Sequence, residues 1–540
     1  MENAGISRSS LSEMTQEVKL HIQTRYPLIY LVSWEEDRVI HEIEKIAIEE
    51  DQRKKVYIWT ETEGLKNLVL DDTDNTVTDP LQVLHHIVQA QERALYVLLD
   101  FHAFLTNHQV VRKVRDVSKA LKSSNKTVLF LSPKLVLPDE LSKEIVVFDF
   151  DLPTLDELGV VLDEFVEQAK QDQRLKGVRL KKEQRERLLK ASQGLTIDEM
   201  RSALSKSVVA HQKIGEMTIP MMLAEKKQII RKSGVLEYFS PEETFDEIGG
   251  IPLLKRWLSQ RDKAFTEDAR KFGLPVPKGL LLVGVQGCGK SLTAKAVASQ
   301  WKLPLLRFDI GKVFSGLVGS SEENIRKAIK LAESIAPCIL WIDEIEKGFS
   351  GFSSSNVSDA GTAARVFGTF LTWMQEKVKS VFVIATANDI SLLPPELLRK
   401  GRFDEIFFVD LPGPYERQEI FRIHLKKRHR APHQFDLESL CRRSEGFSGA
   451  EIEQVIISAL YDAFEHNRPL ATADILNSLQ ETVPLSQTMA EHISALGAWA
   501  ETRARRASGT GRDASDVHTI GKSGDPETHL EVADMTLRYT

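Results

Sequence analysis

The stretch that most constrains this chain runs from Gly279 to Ser291, where an apolar run, Gly279-Leu-Leu-Leu-Val283, meets Gly284-Val-Gln-Gly-Cys-Gly289-Lys290-Ser291. A short apolar run, glycines at fixed offsets, then Lys and a hydroxyl residue read as a strand feeding a phosphate-binding loop. The glycines leave backbone N–H groups free to wrap a di- or triphosphate. Lys290 reaches the terminal phosphates, and Ser291 offers a hydroxyl to Mg²⁺ at a helix N-terminus. Beyond the loop, Leu292, Ala296, Val297 and Ala298 are spaced to face a sheet.

A second apolar run, Cys338-Ile-Leu-Trp-Ile342, ends in Asp343-Glu344. Five apolar residues in a row mean a strand buried on both faces, and buried parallel strands end at sites. Beside the phosphate loop, Asp343 can hold the metal shell while Glu344 polarises the attacking water.

The 540 residues carry a net charge of −7, which gives no support to non-specific nucleic-acid binding. No apolar run approaches the roughly 20 residues of a membrane span, so membrane insertion is not expected. The N-terminus lacks the apolar core of a signal peptide. Three cysteines, Cys288, Cys338 and Cys441, have no paired spacing and fit a reducing, cytoplasmic setting rather than disulfides or a zinc site. The stretch His41-Glu-Ile-Glu-Lys45 starts like a zinc-protease helix but has Lys45 where the second His belongs, so it reads as a solvated helix face.

Residues 1–12 are polar and expected to be disordered. A first domain, 13–212, alternates strands (28–33, 55–59, 94–100, 127–131, 145–150) with helices (35–50, 81–93, 109–122), the pattern of a parallel α/β sheet. Its sequence echoes the second half in order. Phe148-Asp-Phe-Asp-Leu-Pro153 matches Phe407-Phe-Val-Asp-Leu-Pro412; Leu131 to Pro138 matches Ala387 to Pro394; Lys190-Ala-Ser-Gln-Gly-Leu-Thr196 matches Arg443-Ser-Glu-Gly-Phe-Ser448. The first copy nevertheless has Ser33-Trp-Glu-Glu-Asp37 in place of the phosphate loop, and a single Asp100 followed by Phe101. Without a Gly nest or Lys it should not bind nucleotide. A linker helix is expected over 213–240, a large nucleotide-binding α/β region over 241–413, a helical region over 414–480, and one amphipathic helix over 481–507 with Met489, Ile493, Leu496 and Trp499 on one face. A loop at 348–361, rich in Ser and Gly, is mobile by composition, and the Gly, Asp, Ser and Thr of 508–540 predict disorder.

Taken with Asn388 after the strand Val381-Phe-Val-Ile-Ala-Thr386, Leu398-Arg399-Lys-Gly-Arg402-Phe-Asp404 and Gly446-Phe-Ser-Gly-Ala450, residues 240–470 resemble the AAA family of P-loop ATPases. The implied fold is α/β, a P-loop AAA+ parallel sheet with a helical lid, preceded by a degenerate AAA-like α/β domain without a phosphate loop. The implied cofactors are ATP and Mg²⁺, the metal held by Ser291 and Asp343. The resemblance makes Glu344 and Asn388 catalytic and casts Arg399 and Arg402 as arginine fingers reaching a neighbour's ATP, which requires a homo-oligomer, in this family usually a hexamer. Nucleotide contacts are implied for Ile248, Gly249, Gly284, Val285, Gln286, Gly287, Cys288, Gly289, Lys290, Ser291, Leu292, His424, Gly449 and Ala450. More narrowly, Arg25-Tyr-Pro-Leu-Ile-Tyr30, Lys227-Gln-Ile-Ile-Arg-Lys-Ser-Gly234 and the phosphate loop resemble the family called hypothetical chloroplast reading frame forty-six, over residues 14–505. That resemblance implies plastid stroma as the location if the chain is plastid-encoded, and a role in photosynthesis or inorganic-carbon regulation if the host is phototrophic.

Three function classes follow: a protein-remodelling ATPase, a nucleic-acid-linked ATPase supported by Arg422, Lys426, Lys427, Arg428 and Arg430, and an ATP-controlled assembly switch. Leu317, in Ser315-Gly-Leu-Val-Gly319, stands where peptide-threading members carry an aromatic, so weak threading is expected unless Phe349 and Phe352 substitute. Cys288, at a helix N-terminus, is expected to favour thiolate.

Overall fold

The apolar runs become two seven-stranded sheets. The computed structural model describes residues 13–509 apart from 51–53, 69–71, 172–179, 240–242, 311–319, 354–356 and 400. Backbone contacts divide the chain between Gly215 and Glu216. Leu317 and most of the two expected disordered tails lie outside the described residues.

In the first unit the strands are β1 (Leu28–Val32), β2 (Lys55–Thr60), β3 (Gly64–Asn67), β4 (Asp72–Asp74), β5 (Ala94–Leu99), β6 (Thr127–Ser132) and β7 (Val146–Asp149), in the order β4-β3-β2-β5-β6-β1-β7. Successive side chains of β1 enter opposite cores: Leu28 and Tyr30 pack in one cluster, Ile29 and Leu31 in the other. That is why the run is apolar without alternation. The antiparallel pair β3 and β4 is not visible in the sequence pattern, because both are short and carry polar residues at the sheet edge.

In the second unit the strands are β8 (Leu236–Phe239), β9 (Gly279–Gly284), β10 (Leu305–Phe308), β11 (Cys338–Ile342), β12 (Val381–Ala387), β13 (Glu405–Val409) and β14 (Arg505–Arg506), in the order β14-β13-β9-β12-β11-β10-β8. Stripped of edge additions, the two sheets share one order: β2-β5-β6-β1-β7 corresponds to β10-β11-β12-β9-β13. Register makes the repeat residue-specific. Leu28 lies opposite Val128 as Gly279 lies opposite Val383, and Ile29 opposite Val146 as Leu280 lies opposite Glu405. Aligned on Asp100 and Glu344, the left-handed residue before each 3₁₀ helix, Phe148 matches Phe407, as the sequence echo has it. The other echo is shifted by one residue: Leu131 corresponds to Thr386, so Pro133, not Ser132, corresponds to Asn388.

Three expectations change. The expected linker helix is present but shorter, Ile219–Ser233, and is followed by β8, which adds antiparallel to β10 and buries Ile230, Val235 and Leu236 in the second unit's core. The C-terminal helix is broken at Met489 into Leu485–Thr488 and Ala490–Arg503; Leu496 and Ala500 are buried, but Met489 is 39% exposed and off the buried face. The stretch 348–361 is not one loop: a 3₁₀ helix covers Ile345–Ser353 and an α-helix starts at Val357. Phe349 is 4% exposed and stacks on Phe367 at 3.7 Å, since burying an aromatic ring is worth about 1.5–3 kcal/mol and outweighs the local Gly/Ser preference for coil. The helices Pro414–Lys427, Leu437–Arg443, Gly449–Glu465 and Thr472–Glu481 close on their own core around Phe421, Leu440, Ile456 and Ile475.

Candidate active site

Strand β9 ends at Gly284, where a Cβ would stand 2.0 Å from the Val409 carbonyl of β13, so only glycine fits this close approach. Gly287 and Gly289 adopt φ of 74° and 86°, left-handed turns that start the helix Lys290–Trp301. A Cβ on Gly287 would come within 2.9 Å of Ala450 Cβ and Ser448 Oγ, and Ala450 N donates to Gly287 O at 3.0 Å. The helix headed by Gly449 and Ala450 thus seats directly on the loop. The loop, Gly-lined and backed by a helix N-terminus, fits a phosphate chain. Leu292 does not face the sheet: it is 40% exposed, while Ala294, Ala296, Val297 and Ala298 are buried.

Lys290 Nζ donates to Gly284 O at 2.8 Å and Val285 O at 2.7 Å. Burial pulls its pKa down to about 8, which leaves it charged at neutral pH. Cys288 departs from expectation. Its Sγ donates weakly to Gln286 O at 3.7 Å, and burial pushes the thiol up to about 12 despite Lys290 nearby, so the helix N-terminus does not yield a thiolate.

Across the sheet, Ser291 Oγ donates to Asp343 Oδ1 at 2.8 Å. Thr386 Oγ1, from the end of β12, donates to the same oxygen at 2.6 Å and accepts Glu344 N at 3.0 Å. Thr386 was missed by sequence reasoning; its signal is a buried polar residue closing an apolar strand beside the acidic pair. Glu344 has φ of 51°, which turns the chain into the 3₁₀ helix and aims its carboxylate back at the site. Asn388 Nδ2 donates to Glu344 Oε1 at 3.2 Å, and Lys347 pairs with Oε2. Among the described residues no three His, Cys, Asp or Glu side chains form a ready metal cage. The oxygens of Ser291 and Asp343 suit a hard cation such as Mg²⁺, which takes few protein ligands and completes its shell with phosphate and water.

The loop flanking this site is fastened to the helix Pro414–Lys427. Gly250 N donates to Glu419 at 2.9 Å, Ile251 N to Glu416 at 3.2 Å, and a Cβ on Gly249 would stand 2.6 Å from Ile420 Cγ1. Ile248 is buried. His424, one turn beyond Ile420, lies 3.4 Å from Glu453, and burial lowers its pKa, so it is neutral at pH 7. Arg399 is exposed and Arg402 half-buried; among the described residues neither is hydrogen-bonded or ion-paired to the Asp343 cluster.

The first unit's equivalent place is filled from within. Only Ser33, Trp34 and Glu35 separate β1 from the helix Glu36–Glu50. Glu35 accepts Ile197 N at 2.9 Å and pairs with Arg38 at 2.7 Å; Arg38 also bonds Asp151 O at 2.7 Å and Glu157 at 3.2 Å. A carboxylate therefore meets the helix that corresponds to the one headed by Gly449. Leu99, opposite Leu131, occupies the Asp343 position, and Asp100, with φ of 52°, corresponds to Glu344 rather than Asp343.

Residues 280–411 match the model of the ATPase family associated with various cellular activities (AAA), and 434–477 its AAA+ lid domain. Residues 14–150 and 156–233 match the N-terminal and second domains of SpoVK-like AAA ATPases. The chain is 44% identical over 488 residues, 90% of its length and 94% of the relative's, to the uncharacterized AAA domain-containing protein ycf46 of Guillardia theta. It is 43% identical over 500 residues to the ycf46 protein of Pyropia yezoensis, 92% of this chain and 99% of that one. The chain belongs to the AAA family of ATPases. Within it, the chain falls with the ycf46 proteins. Membership in AAA carries nucleotide binding and, in general, ATP hydrolysis and assembly into oligomers. No helix among the described residues is long and apolar enough to cross a membrane.

Proposed function

We propose that this AAA protein binds ATP between β9, β11 and β12, hydrolyses it, and uses the cycle to remodel or hold protein partners as a homo-oligomer, a hexamer by family precedent. The observation that carries the reading is the continuous linkage Ser291–Asp343–Thr386–Glu344–Asn388 beside Lys290. Mg²⁺, when bound, neutralises phosphate charge and orients the terminal phosphoryl group. The chain's own residues do the rest. Lys290 leaves the Gly284 and Val285 carbonyls for the phosphates, and Ser291 and Asp343 present their oxygens to the metal. Glu344 orients a water and takes its proton, while Asn388 holds the Glu344 carboxylate. Arg399 and Arg402 are proposed to act on a neighbour's ATP.

Burial of Phe349 in the core removes one of the two aromatics offered as grips, which favours holding or switching over threading. The nucleic-acid reading loses ground too, because Arg428 of the basic cluster is committed to Glu453 at 2.8 Å. A location in the cytoplasm, or in the stroma for a plastid-encoded chain, accompanies the proposal. Lys290→Ala should lose nucleotide binding. Glu344→Gln should bind ATP yet hydrolyse it at least ~100-fold more slowly, the scale of losing a positioned base. Normal turnover in Glu344→Gln would sink the site assignment.

A further inference from the structure

We infer that Glu346 is a positioning residue for hydrolysis: it fixes the backbone of Asn388 so that the Asn388 amide holds Glu344. The inference rests on the reading of Glu344 as the residue that activates water. Glu346 is only 5% exposed, a rare state for a carboxylate. Its Oε1 accepts the Asn388 backbone N–H at 3.0 Å, and Asn388 Nδ2 donates to Glu344 Oε1 at 3.2 Å. Two hydrogen bonds thus join Glu346 to the catalytic carboxylate through one residue. The left-handed turn at Glu344 makes this possible, because the 3₁₀ helix then carries Glu346 inward while Lys347, with a side chain 70% exposed, stays outside. Burial raises the Glu346 pKa while the Asn388 N–H lowers it, the larger effect being burial. Leaving that N–H unpaired in the half-buried turn after β12 would let Asn388 shift.

The first copy supplies an internal comparison. The register that equates Asp100 with Glu344 equates His102 with Glu346, and Pro133 with Asn388. The 3₁₀ helix Phe101–Phe104 starts one residue after the left-handed Asp100, as Ile345–Ser353 does after Glu344. The backbone geometry of the turn is therefore kept in the copy that lacks a phosphate loop. Both members of the hydrogen bond are missing from it: the carboxylate is replaced by His102, and Pro133 has no N–H to donate. A bond that merely held the fold of this turn would be needed in both copies.

The test is steady-state ATPase kinetics on the full chain, with binding of a non-hydrolysable ATP analogue as a second readout. Glu346→Ala, and the volume-conserving Glu346→Met where a cavity would hinder folding, should lower kcat at least about 10-fold, with KM and analogue affinity within about 2-fold of wild type. Glu346→Gln, whose side-chain carbonyl still accepts the Asn388 N–H, should recover kcat to within about 3-fold. Retained kcat in Glu346→Met, or a Gln variant as slow as Met, overturns the inference. Glu344→Gln measured alongside separates the two failures: if it turns over normally the site reading itself is wrong, whereas a dead Glu344→Gln beside an active Glu346→Met defeats only the role of Glu346.

Discussion

At the scale of single residues, the resting site is poised by competition for protons and hydrogen bonds. Lys290 is the clearest case: charged and buried, it is satisfied by two loop carbonyls, which the phosphates of the proposed nucleotide would replace. Its folded pKa of about 8 lies below the ordinary lysine value, so between those two limits the nucleotide-free protein binds fewer protons at Lys290 than an exposed lysine would. Phosphate binding needs the charged form. Affinity for an ATP analogue should therefore be level from pH 6.5 to 7.5 and weaken by roughly tenfold per pH unit above about 8, and Lys290→Arg should flatten that limb because guanidinium does not titrate there. Isothermal titration across the range checks it; affinity unchanged to pH 9.5 would count against the lysine as the phosphate contact.

At the scale of elements, the C-terminal segment holds more of the second unit together than its length suggests. After the helix Ala490–Arg503, β14 extends the sheet beside β13, and the Ala507 carbonyl accepts both Leu253 N at 3.0 Å and Leu254 N at 3.2 Å, two first-turn donors of the helix Pro252–Ser259. Ser508 Oγ then donates to Glu416, the carboxylate that also receives Ile251 N. Relative to a chain ending at Gly509, truncation after Arg503 should lower the melting temperature by several degrees, on the order of 2 kcal/mol for an opened strand edge and orphaned helix donors. Equal melting of the two truncations would show that the last strand contributes nothing.

At the scale of the whole molecule, the proposed reaction calls for a further cation, supplied by a neighbouring subunit, to stabilise charge on the transferring phosphoryl group. Arg402 is half-buried and Arg399 exposed, with Gly401 between them at φ of 98°. Mixing inactive Arg402→Ala with inactive Lys290→Ala subunits should restore some ATPase activity, because one lends an intact pocket and the other an intact arginine. No recovery despite demonstrated co-assembly would argue against action between subunits.

The sequence by itself determined the second sheet's central strands and the residues gathered at their ends, because a buried parallel strand must be a continuous apolar run and a phosphate loop needs Gly, Lys and Ser at fixed offsets. It also carried the repeat, through matching strand ends. Other features depended on contacts between residues far apart in the chain. Thr386, marked locally only as a polar residue closing an apolar strand, and Glu346, with no distinguishing local pattern, joined the candidate site only when β11 and β12 were laid side by side. Cys288 lost its expected thiolate to burial that local sequence does not encode, and Phe349 left an expected mobile loop because Phe367 offered it a face. The short strands β3, β4, β8 and β14, at or next to the sheet edges, were likewise settled by tertiary structure: such a strand draws its stability from the neighbour's unpaired backbone groups rather than from its own side-chain pattern.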